Sequence, residues 1–299
     1  MKPSEYIWMD GKNKKWKDAT IHVFNHSFLY GSGVFEGIRF YKTDKGPAVF
    51  RLQDHIKRLF YSAKVIGIKF AYTQKQVCDE TLKIIKKNKM EQGYVRPFGY
   101  YGYGVLGLKP KNAPSHLTLI PWAWGAYLGS DTVTAHFSKY IRSHPKSLDI
   151  KAKITGYYAN SVLAGFETIK AGYGEAIFLD YKGNVAEAPG ENFFMVKKGV
   201  LITPPADNIL PGFTRDSVIK IAKDLGIKVV EKNFKPESIY TADECFFTGT
   251  AAEIIAISHV QDKKIGSGKL GPMTTQLKKE FTDVLYGKNK KYKKWLTYV

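Results

Sequence analysis

The hydrophobic pattern of the chain changes near residue 124, and this change constrains the fold more than any other feature. Before it, apolar residues recur at three- and four-residue spacing, which predicts a helix with one buried face. These residues are Leu52, Ile56, Leu59, Phe60 and Ala63. After it, short strands alternate with turns. The pattern predicts a mixed α/β chain with domains at 1–122 and 133–299 and a linker at 123–132.

A second helix is predicted from about Lys75 to Lys89. Thr73 and Gln76 stand where a capping box would open it, because each side chain can satisfy a backbone amide of the first turn. Strands are predicted at 6–9, 48–51, 93–104, 116–122, 175–180, 192–196 and 200–203. Further helices are predicted at about 157–171, 215–225 and 273–285.

The chain carries a large positive charge, with 46 Lys and Arg against 27 Asp and Glu and a formal charge of +19. Such a balance fits either a nucleic-acid partner or a field that attracts acidic small molecules. The lysines are scattered, only 288–294 is a dense run, and no nucleic-acid motif accompanies it. We therefore favour a solvated lysine-rich surface. A colourless protein that bound DNA with steep salt dependence would favour the nucleic-acid alternative.

The cysteines and the hydropathy bear on the compartment. Cys78 and Cys245 lie far apart without metal-ligand spacing, which supports neither a disulfide framework nor a zinc site. The N-terminal MKPSEYIWMD lacks the apolar stretch of a signal peptide, and no run approaches the roughly 18 apolar residues of a membrane span. We expect a cytoplasmic protein without a metal or a membrane partner.

Lys153 lies in the segment AKITGYY, between small and apolar residues just before an amphipathic helix. A lysine buried there would have a lowered amine pKa, which Schiff-base chemistry needs. A surface lysine would look the same in sequence, and this simpler interpretation is favoured when the segment is considered alone.

Three further segments carry polar groups in suggestive positions. Glu187 opens EAPGENFF, where a buried carboxylate could pair with a protonated ring nitrogen. The segment LPGFTRD at 210–216 starts a helix, whose free amides can bind an anion. Thr250 follows Gly249, and Arg58 could supply a fixed charge. Each of these features alone is more often structural.

Together and in this order, the segments resemble the class IV aminotransferases, and within them the bacterial branched-chain aminotransferases. The resemblance covers essentially the whole chain. It implies a two-domain fold of pyridoxal-phosphate (PLP) type IV, like that of D-amino-acid aminotransferases, with a small N-terminal and a larger C-terminal α/β domain. The matching segments lie at 30–31, 34–39, 55–59, 94–97, 124–129, 152–158, 187–194, 210–216 and 249–253.

The resemblance implies transamination between leucine, isoleucine or valine and 2-oxoglutarate, giving branched-chain 2-oxo acids and glutamate. Lys153 would form the internal aldimine with pyridoxal 5'-phosphate and shuttle the proton. Glu187 would face the ring nitrogen, and Tyr158 would hydrogen-bond the phenolic oxygen. The phosphate would be held by Arg58, the amides of Phe213 and Thr214, and Thr250.

The resemblance also implies a substrate pocket and a partner subunit. Tyr30 and the loop at Gly107 would reach into the pocket of a second copy, so we expect a homodimer at least, with a hexamer left open. Two positions depart from the family pattern, because Pro189 stands where a small residue is usual and Phe213 where an aliphatic one is. The pocket residues would be Phe35, Arg39, Tyr94, Arg96, Trp124, Tyr127, Thr250 and Ala251.

Two other enzymes of the same fold stay open as alternatives, the D-amino-acid aminotransferases and the aminodeoxychorismate lyases. Both share the lysine, the glutamate and the phosphate cup. The segments at 94–97 and 124–129 favour the branched-chain type over both. The sequence does not rank leucine, isoleucine and valine as substrates.

Overall fold

A computed structural model describes residues 2–125 and 130–299. The chain divides into two compact units, which each draw on more than one stretch of sequence. The first unit consists of Met1–Gly125, Ala152–Tyr157 and Val284–Val299, and the second of Ala126–Lys151 and Tyr158–Asp283. The domain boundaries expected from the sequence stay a prediction.

The described residues form six α-helices and seventeen strands. The helices are α1 (His26–Tyr30), α2 (Leu52–Val65), α3 (Gln74–Lys87), α4 (Tyr158–Ala171), α5 (Phe213–Asp224) and α6 (Pro272–Leu285). The strands are β1 (Lys2–Pro3), β2 (Tyr6–Met9), β3 (Lys12–Lys15), β4 (Val34–Phe35), β5 (Ile38–Thr43), β6 (Gly46–Phe50), β7 (Gly93–Tyr101), β8 (Ser115–Ala123), β9 (Thr132–Phe137), β10 (Glu175–Ile177), β11 (Asn192–Lys197), β12 (Val200–Thr203), β13 (Val229–Glu231), β14 (Glu244–Gly249), β15 (Glu253–Val260), β16 (Lys263–Lys264) and β17 (Leu296–Tyr298).

The first unit is built on an antiparallel sheet in the order β17-β6-β5-β7-β8-β2-β3, with β1 on β8 and β4 on β7. The helix face predicted from spacing is confirmed, since Leu52, Ile56 and Leu59 of α2 are fully buried. They join Val95 of β7 and Leu117 of β8 in one core. Burial of this apolar area is the main stabilising term for the unit.

The second unit holds a mixed sheet in the order β10-β9-β15-β14-β11-β12-β13, with β16 on β15. Phe193 of β11 and Phe247 of β14 are buried neighbours whose rings meet edge to face at 5.8 Å between centroids. The strands β11 and β12, near the predicted ranges 192–196 and 200–203, form an antiparallel hairpin. The mixed α/β class is therefore confirmed. None of the helices in the described part of the chain is long and apolar enough to cross a membrane.

The segment Ala152–Tyr157 returns to the first unit and pairs with the chain that follows α1. The Thr155 amide donates to the Gly33 carbonyl at 2.8 Å, and the Gly156 amide donates to Gly31 at 2.8 Å. Gly31 ends α1 in the left-handed region at φ 63°, and a Cβ there would lie 2.7 Å from Gly156 Cα. Only glycine fits this crossing.

The capping box predicted at the start of α3 is confirmed. The Gln76 amide donates to Thr73 Oγ1 at 3.2 Å, and Gln76 Oε1 accepts from the Thr73 amide at 2.8 Å.

We expect Thr73→Ala to lower the free energy of unfolding by about 1 kcal/mol, because one donor of the first turn loses its partner. Urea denaturation measures this, with Thr73→Ser as the variant that retains the cap. Equal losses in both variants would contradict the assignment.

Candidate active site

Lys153 is held in the first unit through its backbone. Its amide donates to Ser62 Oγ at 2.8 Å, and the Phe35 amide donates to its carbonyl at 3.0 Å. Ser62 Oγ in turn donates to the Arg58 carbonyl at 2.9 Å. Lys153 Nζ lies 4.8 Å from the centroid of the Phe35 ring. The structure thus brings Lys153, Arg58 and Phe35 together, as three of the residues chosen from the sequence.

Arg58 is clamped by a buried carboxylate that the sequence analysis gave no role. Arg58 Nε donates to Glu36 Oε1 at 2.6 Å, and a terminal nitrogen donates to Oε2 at 2.9 Å. His55 Nδ1 lies 2.7 Å from the same Oε2, so the neutral ring must donate from this nitrogen. The bidentate pair uses two of the five N–H groups of Arg58.

The charges around Glu36 fix its protonation. Burial alone would raise the pKa of Glu36, but the Arg58 guanidinium and the His55 hydrogen bond outweigh burial and hold that pKa well below its usual range. Burial lowers the pKa of His55. The Glu36 carboxylate raises this pKa, but the charges of Arg58 and Lys153 lower it further, and the pKa stays below its ordinary value. The pair is therefore an ionised carboxylate beside a neutral imidazole at neutral pH.

Arg96 lies in a box of aromatic rings instead of beside an acid. Its guanidinium carbon lies 5.1 Å from the Phe35 ring centroid, 5.6 Å from Tyr94 and 5.7 Å from Trp122. Within the described residues it makes a hydrogen bond of 3.2 Å with Tyr94 Oη, forms no ion pair, and leaves its buried Nε without a partner. Arg96 therefore does not serve merely to pair with a nearby acid among the residues that the structure describes.

The other predicted pocket residues of the first unit surround this box. The Trp124 ring meets Tyr94 at 4.9 Å between centroids. Arg39 is buried and donates to the carbonyl of Gly125 at 3.2 Å, so it holds the backbone that follows β8. Tyr127 lies outside the described residues. Trp122, which was not predicted, completes the aromatic wall.

The segments expected to reach a partner lie on the surface of the first unit. Tyr30 ends α1 and is exposed, as are Leu106 and Leu108 in the loop between β7 and β8. Phe28 of α1 is 70% exposed and Leu108 is 83% exposed. Exposed apolar side chains of this size, grouped on adjoining segments, are typical of a protein interface.

In the second unit, Glu187 is buried at the centre of a hydrogen-bonded network. Arg142 Nε donates to its Oε1 at 2.6 Å, and Asn192 Nδ2 donates to Oε2 at 2.9 Å. The Leu210 amide lies 3.1 Å from both oxygens. A Cβ on Gly212 would lie 2.1 Å from Asn192 Oδ1, so glycine is required for the close approach that keeps Asn192 in place.

Of the predicted phosphate-binding residues, Arg58 lies in α2, and the others lie at the start of α5 and just after β14. Gly212 is the N-cap of α5, and no side chain caps the helix there. Phe213 and Thr214 form its first turn, two residues earlier than the helix start predicted from the sequence. Thr250 and Ala251 follow β14, and the Thr248 hydroxyl of that strand is buried without a hydrogen-bond partner. Tyr158 is the first residue of α4 and is half-buried.

Comparisons with known proteins bear on these observations. The family model for class IV amino-transferases matches residues 33–260. The chain belongs to the class IV aminotransferases. It is 41% identical to the branched-chain-amino-acid aminotransferase of Pseudomonas aeruginosa, over 98% of this chain and 97% of that protein. The resemblance inferred from the sequence, and the fold that it implied, are confirmed.

Solved structures of this aminotransferase family share the whole fold. The Escherichia coli branched-chain amino acid aminotransferase superposes with a TM-score of 0.95 at 39% identity, over 98% of each chain. The T.th. branched-chain amino acid aminotransferase complexed with N-(5'-phosphopyridoxyl)-L-glutamate gives a TM-score of 0.97 at 38% identity, over 100% of this chain and 99% of that one.

Several residues of the aminotransferase that shape its site escaped sequence reasoning. Glu36 lies in the motif VFEGIR. An acidic side chain between apolar residues of two short strands indicates that it is buried beside a positively charged partner. Arg142 lies in the irregular stretch before Lys153, where no periodicity marks it. Asn192 lies in EAPGENFF, where nothing in the sequence marks its contact with Glu187. Trp122 closes the predicted strand next to Trp124, and its proximity to Arg96 arises only from strand pairing.

We expect Glu36→Gln to lower the free energy of unfolding by about 3 to about 5 kcal/mol, because it leaves the Arg58 charge buried without its counter-ion. The depressed pKa of Glu36 means that this stabilisation is complete above its ordinary value of 4.5 and is lost as the pH falls below it. The difference between wild type and variant should therefore shrink in acid.

Urea denaturation at several pH values measures the effect of Glu36→Gln. The matched control is Glu91→Gln, which breaks the exposed pair with Lys42 and should change the free energy of unfolding by less than about 1 kcal/mol. A Glu36→Gln difference that stayed constant down to acid pH would contradict the assigned protonation.

Proposed function

We propose that this aminotransferase uses pyridoxal 5'-phosphate to move the amino group between leucine, isoleucine or valine and 2-oxoglutarate. The names of its relatives support the branched-chain substrates, and the phosphopyridoxyl-glutamate complex of the T.th. enzyme supports the cofactor and the second substrate. The observation that carries the proposal is the Phe35 ring, which has both Lys153 Nζ and the Arg96 guanidinium carbon near its centroid, at 4.8 Å and 5.1 Å.

The donor set of the chain fits the cofactor. A cofactor of this kind needs an amine, a charge partner for its ring nitrogen and an anion site for its phosphate. Lys153 would supply the amine and Glu187 the ring partner. For the phosphate, the amides of Phe213 and Thr214 at the start of α5 would act together with Arg58 and Thr250. Tyr158 would bind the phenolic oxygen.

When bound, the cofactor withdraws electrons from the α-carbon of the amino acid, which is chemistry that no side chain of the chain supplies. Lys153 would hold the cofactor through Nζ, and after the substrate amine displaces it, the same Nζ would carry the proton from the α-carbon to the cofactor. Its backbone bonds to Ser62 and Phe35 fix the point from which Nζ acts.

Glu187 would keep a proton on the ring nitrogen. A carboxylate does this best when it stays negative and cannot rotate. Arg142, Asn192 and the Leu210 amide hold both of its oxygens from several directions. Arg142 also balances the buried charge, so removal of either partner would leave the other uncompensated.

One pocket must accept two unlike side chains. An apolar wall of Phe35, Tyr94 and Trp124 suits a branched aliphatic group, but it rejects the carboxylate of glutamate unless a cation stands there. Arg96 provides that cation, with its charge against aromatic faces and without an acid to neutralise it among the described residues. We infer that Arg96 meets the side-chain carboxylate, and that Arg39 contributes indirectly by holding the backbone after Trp124.

We infer further that the working protein is a homodimer, with a hexamer as the alternative higher assembly. The exposed apolar surface of α1 and the loop at Gly107 supports this inference, because Phe28, Tyr30 and Leu108 would otherwise stay in water. In the dimer, Tyr30 and the Gly107 loop would complete the pocket of the second copy. The cytoplasmic location stays a prediction.

We expect Lys153→Ala to abolish transamination between leucine and 2-oxoglutarate and to remove the visible absorbance of the protein reconstituted with pyridoxal phosphate, because the amine that holds the cofactor is gone. Lys151→Ala is the matched control, since it removes an exposed lysine two residues away and should leave both properties unchanged. A Lys153→Ala protein that retained a borohydride-reducible adduct would refute the role of Lys153.

We expect Arg96→Leu to lower kcat/KM for glutamate and 2-oxoglutarate by about 10-fold to about 100-fold, because a charge-assisted contact is lost. The values for leucine and its 2-oxo acid should change little. Lys45→Leu is the control, because it removes one positive charge from an exposed residue outside the aromatic box. Steady-state kinetics of the two half-reactions decide the matter. Equal losses for both substrates would assign Arg96 to the fold or the cofactor.

A further inference from the structure

His26 is the first residue of α1 and is buried with both ring nitrogens engaged. Its Nε2 lies 2.8 Å from the Gly107 carbonyl, and its Nδ1 lies 2.7 Å from Ser32 Oγ. Since a carbonyl only accepts, Nε2 carries the proton, and Nδ1 accepts from the Ser32 hydroxyl. The ring also packs against Tyr30 and Tyr101, at 4.7 Å and 5.6 Å between centroids.

The loop between β7 and β8 depends on this histidine. Its tip, residues 105–108, has only apolar side chains and glycine, and Gly107 adopts φ 92°. In the part of the chain that the structure describes, the bond to His26 is the one hydrogen bond that joins this tip to the rest of the protein. A loop so exposed and so short of other bonds would open readily without it.

The opposite side of His26 connects to the segment that carries Lys153. Ser32, which donates to Nδ1, immediately precedes Gly33. Gly33 exchanges hydrogen bonds with Thr155, since its amide donates to Thr155 Oγ1 at 3.0 Å and its carbonyl accepts from the Thr155 amide. His26 therefore bridges the loop tip and the backbone onto which the Lys153 strand is built.

We propose that His26 is a positioning residue that fixes the Gly107 loop to the Lys153 segment of its own subunit. The effect on catalysis rests on the proposed function, in which this loop completes the pocket of a second copy. With the loop fixed, Leu106 and Leu108 reach the partner already in place, and less ordering entropy opposes substrate binding. His26 itself touches neither substrate nor cofactor.

Three substitutions separate the two hydrogen bonds. His26→Phe keeps the ring packing and loses both bonds. The Gln side-chain nitrogen lies as many bonds from Cα as Nε2, so His26→Gln can still reach the Gly107 carbonyl. The Asn side-chain atoms correspond to Nδ1, so His26→Asn can reach Ser32 but not Gly107. His22→Phe is the control, since the exposed His22 lies against the Tyr103 ring of the same loop, 4.7 Å between centroids.

Limited proteolysis of the holoenzyme tests the positioning directly, because loss of the bond to His26 should let the loop open. Chymotrypsin should cleave after Leu106 or Leu108 about tenfold faster in His26→Phe and His26→Asn, because one hydrogen bond is lost. His26→Gln and His22→Phe should be cleaved there at the wild-type rate. Unchanged cleavage in the Phe variant, or equal behaviour of the Asn and Gln variants, would overturn the proposal.

Kinetics provide the second readout. The KM values of the Phe and Asn variants should rise by up to about tenfold while kcat stays near wild type, and Gln should restore KM. A merely structural role would lower the folded fraction and kcat without this selective rescue, and that result would overturn the proposal. Absence of transamination in wild type would instead refute the proposed function, while the proteolysis result would still stand.

Discussion

The backbone pairing between residues 31–35 and residues 153–156 is the constraint on which the first unit depends. It attaches a distant segment of the chain beside α1 and β4 through main-chain hydrogen bonds. A shift of this pairing by one residue would turn the Lys153 side chain to the opposite face. The Gly31 and Gly156 crossing makes the approach possible. Every role that we propose for Lys153 starts from this fixed anchor.

Arg58 and Arg96 of the first unit are both half-buried, but their charges have opposite surroundings. Arg58 is neutralised by Glu36, which receives further support from His55. Arg96 is surrounded by aromatic rings and keeps its charge uncompensated within the described residues. An arginine whose charge is already neutralised by an acid suits a group that stays bound in one orientation. An arginine without such an acid suits a ligand that brings its own negative charge and then leaves.

Regular periodicity made α2 and the capping box of α3 predictable, because both depend on local spacing. The motif around Glu187 was found, but its network was not, since Arg142 comes from an irregular stretch with no pattern. The five-residue α1 is too short to show a helical period. Likewise, the aromatic partners of Arg96 are brought together by the pairing of β4, β7 and β8. A single sequence does not show which strands pair or in which register.

The strand β17 has a consequence for the order in which the chain folds. Leu296 pairs with Phe50, and the Trp295 carbonyl accepts from the amide of Arg51, which starts α2. The edge of the first sheet is therefore incomplete until residues 296–298 have left the ribosome, long after residues 48–50 with which they pair. Contacts across so many residues slow folding and leave an exposed strand edge in the nascent chain. The first sheet can thus complete this edge only after the residues of the second unit have been synthesised.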